Sequence, residues 1–245
     1  MCGRFAQFSP LKILKQKFQI DSVSCELTAS YNLAPSQEVL VIVNQENKNN
    51  LEKQHWGLVP HWAKDIATGY RMINARIETI AAKPAFREAF KKHRCLIIAD
   101  GFYEWKGEKG LKQPYFITIA SGEPFAFAGL WDKWNKNKDD KEPAYKSCTI
   151  ITTTASKSII ELHERMPVIL SSKYHELWLN PEIQSPKDLD VILHDGITSE
   201  MKYYPVSKQV NSVKNNNPSC VEPVNVESYE TEPAQIYKDT SFSKN

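Results

Sequence analysis

The second residue of this 245-residue chain is a cysteine, in the opening Met1-Cys2-Gly3-Arg4. Once Met1 is removed, Cys2 carries a free α-amine and a thiol on adjacent carbons. In free peptides that amine titrates at about 7.7–8 and the thiol at about 8.5, so unprotonated amine is present at neutral pH. Such an amine condenses with an aldehyde to a Schiff base. The thiol then closes a five-membered thiazolidine, a ring that a lysine or an internal cysteine cannot form. Gly3 permits an unusual backbone path beside this nucleophile. A ring-opened abasic site in DNA presents an aldehyde at C1′ that an amine can reach. Free sugars suit less well unless they are positioned.

Other residues have types suited to proton transfer or phosphate binding. Glu104 lies between Tyr103 and Trp105 after an apolar run, where partial desolvation would raise its pKa towards proton transfer. His163 offers an imidazole that exchanges protons near neutrality. Asn74 and Arg76 are two apart, so an extended segment turns both to one side. Arg4, Arg76 and Arg165 have the chemistry for phosphate, and Trp62 for base stacking. Each also has a plain structural reading: a strand-end glutamate, a half-buried histidine, arginines in ion pairs, core tryptophans. The densest basic run, Lys91 to Arg94, reads as a solvated helix end whose cations complement the helix dipole.

The elements that must position these groups follow from pattern. Pro10 to Phe18 predicts an amphipathic helix, with Ser9 as N-cap and Pro10 first in the helix. Residues 31–37 (YNLAPSQ) and 56–65 (WGLVPHWAKD) read as loops, and 38–43 as a buried strand. In 73–94 a loop precedes a helix whose apolar face is Ala85, Phe86, Ala89 and Phe90. Residues 95–105 form a strand broken at Asp100-Gly101. Runs 114–120 and 124–134 predict strands joined as a hairpin by Ser-Gly-Glu-Pro. A further strand covers 147–155, and a short helix 158–163. Residues 136–142 read as a solvated loop. β-runs without strict βαβ alternation give an α+β domain with a mixed, largely antiparallel sheet or barrel-like core and flanking short helices. The expected division is a domain at 1–206 and a polar, irregular or partly disordered extension at 207–245.

Composition bounds the partners. Hydrophobic residues make up 41% and charged residues 24%, as in globular proteins, and the net charge is +2. Any nucleic-acid site must therefore rest on a local basic surface. No signal-peptide-like or membrane-spanning stretch is visible. Five cysteines, at 2, 25, 95, 148 and 220, form no CxxC pair, which fits a reduced compartment and argues against structural zinc. No cofactor motif is present, and a monomer is expected.

Six blocks taken in order, MCGRF (1–5), YNLAPSQ (31–37), WGLVPHWAKD (56–65), INARIET (73–79), CLIIADGFYEW (95–105) and LHERMPVIL (162–170), resemble the SRAP family of abasic-site processing proteins. The likeness spans roughly residues 1–206, and the polar tail lies outside it. The resemblance implies a thiazolidine between Cys2 and an abasic site in single-stranded DNA. It implies Cys2 as nucleophile, Asn74 holding the terminal amine or a sugar oxygen, and Glu104 and His163 as acid/base groups. Arg4, Arg76 and Arg165 would contact the DNA backbone, with Trp62 as wedge or stacking surface. No metal is implied. It further implies self-removal of Met1, weak lyase activity, a DNA-damage (SOS) context with replication-fork components as partners, and, in a bacterium, a cytoplasmic, nucleoid-associated location. Three other classes stay open on the residues alone. An N-terminal-nucleophile amidohydrolase also begins Met-Cys-Gly and would show glutaminase activity. A cysteine peptidase using Cys2 and His163 would turn over other peptides. A single-strand binding module would bind in a salt-sensitive way with no covalent product.

Overall fold

A computed structural model describes residues 2–108, 111–136, 143–198 and 200–225. The chain runs β1 (Phe5–Gln7), α1 (Leu11–Phe18), β2 (Ser22–Val23), β3 (Ser30–Leu33), β4 (Glu38–Gln45), β5 (Lys48–Trp56), β6 (Asn74–Arg76) and α2 (Arg87–Lys92). It continues through β7 (Arg94–Ala99), β8 (Gly101–Lys106), β9 (Gln113–Ile119), β10 (Phe125–Trp134), β11 (Tyr145–Thr154) and β12 (Arg165–Pro167). β13 (Ile169–Leu170), α3 (His175–Leu179), α4 (Pro186–Asp195) and β14 (Met201–Pro205) complete it. This is the α+β class expected, with a large, mostly antiparallel sheet and short helices.

The strands form two sheets. The smaller has the order β14-β9-β8-β1-β3; the larger runs β12-β11-β10-β7-β4-β5-β2 and also carries β6 and β13. The larger sheet curls until β5 meets β11 in parallel register, His55 opposite Ser147 and Trp56 opposite Cys148. Alternation along each strand decides which layer a side chain enters. On β4, Val39, Val41 and Val43 face a core shared with Phe5, Phe102 and Ile117 of the smaller sheet, while Leu40 and Ile42 face a second core under the helices. β7 divides likewise, Cys95, Ile97 and Ala99 against Leu96 and Ile98. Strands buried on both faces read as unbroken apolar runs, as 39–43 and 95–99 do. The smaller sheet's outer face holds a third core, with Tyr103, Phe116, Val206, Val210 and Cys220.

That third core carries the packed body past the boundary expected at residue 206. Residues 207–225 form a strap over the outer face, with 3-10 turns at Lys208–Asn211 and Pro218–Cys220. Asn32 fastens it. Its Nδ2 donates to the carbonyls of Val210 (3.2 Å), Ser212 (3.0 Å) and Asn215 (2.6 Å).

Several local expectations are corrected. Ser9 does not cap α1, which begins at Leu11 with Pro10 extended at the N-cap. Its hydroxyl instead donates to Asp100, whose carboxylate also accepts the backbone N–H groups of Phe8 and Ser9. Residues 30–33 are a strand, because β1 needs a partner on its open side; only Ala34–Gln37 turns. β9 and β10 are not a hairpin: β9 pairs with β8 and β14, β10 with β7, β11 and β13. The turn between them crosses from one sheet to the other. Residues 156–163 are successive turns closed from Ser156 and Ile159, not a helix. Arg94 is buried, donating to the carbonyls of Trp178 (2.7 Å) and Phe90 (3.1 Å), so the basic run is not wholly solvated. The loop expected at 136–142 lies almost wholly outside the described residues. No helix among the described residues is long and apolar enough to cross a membrane.

Candidate active site

Cys2 enters the structure just before β1, a strand enclosed between β8 and β3. Its side chain is fully buried in the inter-sheet core. Burial, with the negative charge of Glu104 behind it, pushes the thiol pKa well above the usual cysteine range. The thiol is therefore protonated at neutral pH. Asn74 holds the neighbouring backbone: its Nδ2 donates to the Cys2 carbonyl at 2.8 Å. Asn74 reaches this point because β6 lies parallel to β11, with Asn74 opposite Ile150. Its buried Oδ1 has no hydrogen-bond partner among the described residues.

Glu104 arrives on β8. Phe102 and Glu104 share the strand face that looks into the inter-sheet core, whereas Tyr103 turns outward under the strap. Glu104 is only 4% exposed. Burial raises its pKa above the usual carboxylate range, and the positive charge of the chain's amino group, followed by that of His163 in its protonated form, partly opposes the rise. His163 is half-buried, and its Nδ1 accepts the backbone N–H of Arg165 at 2.9 Å. That bond fixes the neutral ring with its proton on Nε2. The structure thus brings Cys2, Asn74, Glu104 and His163 into one neighbourhood.

The cations divide. Arg76 is exposed and makes no ion pair or side-chain hydrogen bond among the described residues. Arg165 is engaged: its guanidinium grips the Glu78 carboxylate with both terminal nitrogens and donates to the Thr152 carbonyl at 2.7 Å. Arg4 is engaged as well, donating from Nη1 to Asn32 Oδ1 (2.7 Å) and to the Val210 carbonyl (2.8 Å), with Trp105 at 5.9 Å. Its half-buried guanidinium fastens the strap. Phosphate contact, the role expected of Arg4 and Arg165, would need these bonds to be exchanged.

The tryptophans also divide. Trp56 is core, edge-on to Phe5. Trp62 is 55% exposed, yet the loop that carries it is pinned. His61 donates from its backbone N–H (2.9 Å) to the buried Asp132 carboxylate, which its ring Nδ1 also meets at 3.0 Å, and Trp134 Nε1 donates to the Ala63 carbonyl at 2.7 Å. The loop leaves β5 through Gly57 at φ +136°, where a Cβ would lie 2.7 Å from the Gly69 carbonyl oxygen, so only glycine fits. Trp62 is thus an apolar side chain held out on a rigid support.

Two further residues went unremarked in the sequence. Lys106 follows Glu104 by two on β8, and Glu161 precedes His163 by two. Their side chains meet at 3.4 Å on the surface, joining the two segments that carry Glu104 and His163. The period of two along a strand was the available signal for Lys106. Among the described residues no group of three or more His, Cys, Asp or Glu side chains is placed to hold a metal ion.

Cys2 is thus buried near the start of the chain, its backbone held by Asn74, with the desolvated Glu104 and the half-buried His163 in the same neighbourhood of a two-sheet α+β scaffold. The chain belongs to the SOS response associated peptidase (SRAP) family, whose model matches residues 1–213. It is 45% identical over 225 residues to the abasic site processing protein YoqW of Bacillus subtilis, covering 91% of this chain and 99% of that one. It is 32% identical to the abasic site processing protein YedK of Escherichia coli (91% and 100% covered) and 31% identical to HMCES, an abasic site processing protein of Gallus gallus (80% and 66%). Among solved structures, a crystal structure of a protein from Bacteroides thetaiotaomicron superposes with a TM-score of 0.75 at 27% identity, covering 91% of this chain and all of that one.

Proposed function

We propose that this protein processes abasic sites in DNA, capturing the lesion in a single strand as a thiazolidine through Cys2 and so shielding it. The observation that carries the reading is the seating of Cys2 against Asn74, with Glu104 and His163 beside it. The names of the relatives supply the substrate class.

The chemistry balances without a cofactor. Hydrolysis of the Met1–Cys2 bond, by this site or by an aminopeptidase, frees the α-amine. Asn74 Oδ1 is available to accept from that amine. The amine nitrogen attacks C1′ of the ring-opened sugar, and the carbonyl electron pair moves to oxygen, which takes a proton from protonated Glu104 while His163 Nε2–H donates a hydrogen bond to it. Loss of water gives the iminium. The Cys2 sulfur then adds to C1′ as its proton passes to the Glu104 carboxylate, and the C=N electron pair returns to nitrogen. A thiol kept protonated by burial does not spend itself on other electrophiles before the iminium forms. A carboxyl with a raised pKa is matched to both proton transfers. The iminium is also the intermediate of β-elimination, so slow strand cleavage accompanies failure of ring closure. A role in the SOS response, action as a monomer with replication-fork partners, and a cytoplasmic location belong to the same proposal.

Intact-mass measurement before and after incubation with an abasic single-stranded oligonucleotide tests it. The expected product is protein lacking Met1 plus oligonucleotide minus one water, with no adduct on intact DNA. Cys2→Ala should give no heat-stable adduct. An undiminished heat-stable adduct from that variant excludes the thiazolidine.

A further inference from the structure

Of the three arginines suited by sequence to hold phosphate, Arg76 is exposed, while Arg4 and Arg165 are already engaged by protein groups. Lys106 is differently placed. It lies two residues beyond Glu104 on the same strand, so it continues the face that carries Phe102 and Glu104 out to the surface. There its ammonium meets Glu161, which lies two residues before His163 in the adjacent turn. The side chains of Lys106 and Glu161 are 48% and 74% exposed, and their atoms stand 3.4 Å apart. An ion pair that open to water is weak and readily exchanged. It bridges, on the surface, the two segments that hold the acid/base pair.

We propose that Lys106 is a phosphate-binding residue for the nucleotide flanking the captured sugar, and that Glu161 occupies it in the free protein and competes with the DNA. The inference rests on the abasic-site reading and deepens it by naming a backbone contact at the rim. A phosphate oxygen displaces the Glu161 carboxylate from the Lys106 ammonium; no covalent bond changes. Glu161 then faces the incoming strand as a like charge, so strands that bring no phosphate to Lys106 are disfavoured.

The test measures binding of a single-stranded oligonucleotide carrying a tetrahydrofuran abasic analogue, which has no aldehyde and binds without cross-linking, across a range of salt. Lys106→Gln should weaken binding and reduce the slope of log K against log salt by about 0.7, the value for one phosphate contact on a single strand. Glu161→Gln should tighten binding by about two- to fivefold, the range of an exposed ion pair. Lys187→Gln, on α4 under the far face of the larger sheet, removes the same charge and should leave the slope unchanged. An unchanged slope in Lys106→Gln, or weaker binding by Glu161→Gln, overturns the proposal. Wild-type protein is assayed in parallel for the covalent adduct with an aldehyde-bearing abasic strand. If the adduct forms while the Lys106→Gln slope stays unchanged, only this inference fails. If no adduct forms, the abasic-site reading and the inference fail together.

Discussion

Replacing Asn32 with alanine should loosen the strap that closes the outer face of the smaller sheet. Asn32 is 1% exposed. Its Oδ1 accepts from Arg4 Nη1, and its Nδ2 faces three carbonyls, those of Val210, Ser212 and Asn215. An amide nitrogen has two hydrogens, so the side chain supplies three hydrogen bonds in effect rather than four. At about 1 kcal/mol each, their loss costs about 3 kcal/mol. Water reaches some of the strap carbonyls, while the Arg4 guanidinium loses a buried acceptor; these corrections oppose each other. For a domain of this size that cost corresponds to a fall in Tm of roughly 6–12 °C. Denaturant unfolding gives the free energy, and limited proteolysis within 207–225 reports the strap directly. Asn32→Asp keeps an acceptor for Arg4 but turns a negative charge on three carbonyl oxygens, so at neutral pH it should be at least as damaging. A loss below about 1 kcal/mol, with the strap still protected, would refute the view that one asparagine fastens this segment.

Glu104→Gln should slow cross-linking by about a hundredfold or more, the usual contribution of one general acid/base, without lowering stability at neutral pH. The sign follows from burial: the folded state holds the Glu104 proton to higher pH than the unfolded chain does. The native state thus loses stability as pH rises from the ordinary glutamate range through the raised value, and the glutamine variant escapes that loss. Its Tm relative to wild type should be more favourable at pH 8 than at pH 4, which calorimetry at the two values checks. Asn74→Ala removes the 2.8 Å bond to the Cys2 carbonyl and should lower the single-turnover cross-linking rate about fivefold, at unchanged non-covalent affinity, for roughly 1 kcal/mol of lost positioning. Trp62→Ala should leave unfolding energy within about 0.5 kcal/mol of wild type yet weaken single-strand binding by about 1–3 kcal/mol if a base stacks on it; fluorescence anisotropy gives the answer.

Much of this was legible in the sequence because local patterns carried it. The runs at 39–43 and 95–99 are apolar at every position, which marks strands buried on both faces, and Asp100-Gly101 marks where one sheet hands over to the other. Asn74 and Arg76 do lie on one extended segment. What escaped depended on distant partners. The occupation of Arg4 is set by Asn32 and Val210, that of Arg165 by Glu78, and no spacing near either arginine announces it. The strap reads as polar because only Val210 and Cys220 are buried for packing, while its ordering rests on hydrogen bonds to backbone carbonyls. The false hairpin at 120–124 arose because a turn signal reports a reversal, not which strands end up paired.

The strap also bears on how the protein is made. Cys2 lies just before a strand that is interior to its sheet, and the neighbours of that strand on either side, β3 and β8, come about 30 and 100 residues later. Arg4 then waits for the Val210 carbonyl, 206 residues downstream. Contacts that distant in sequence form late. The surroundings of Cys2 are therefore completed only once nearly the whole chain has emerged. A C-terminal truncation that removes the strap would release protein in which Cys2 is present but its surroundings are unfinished.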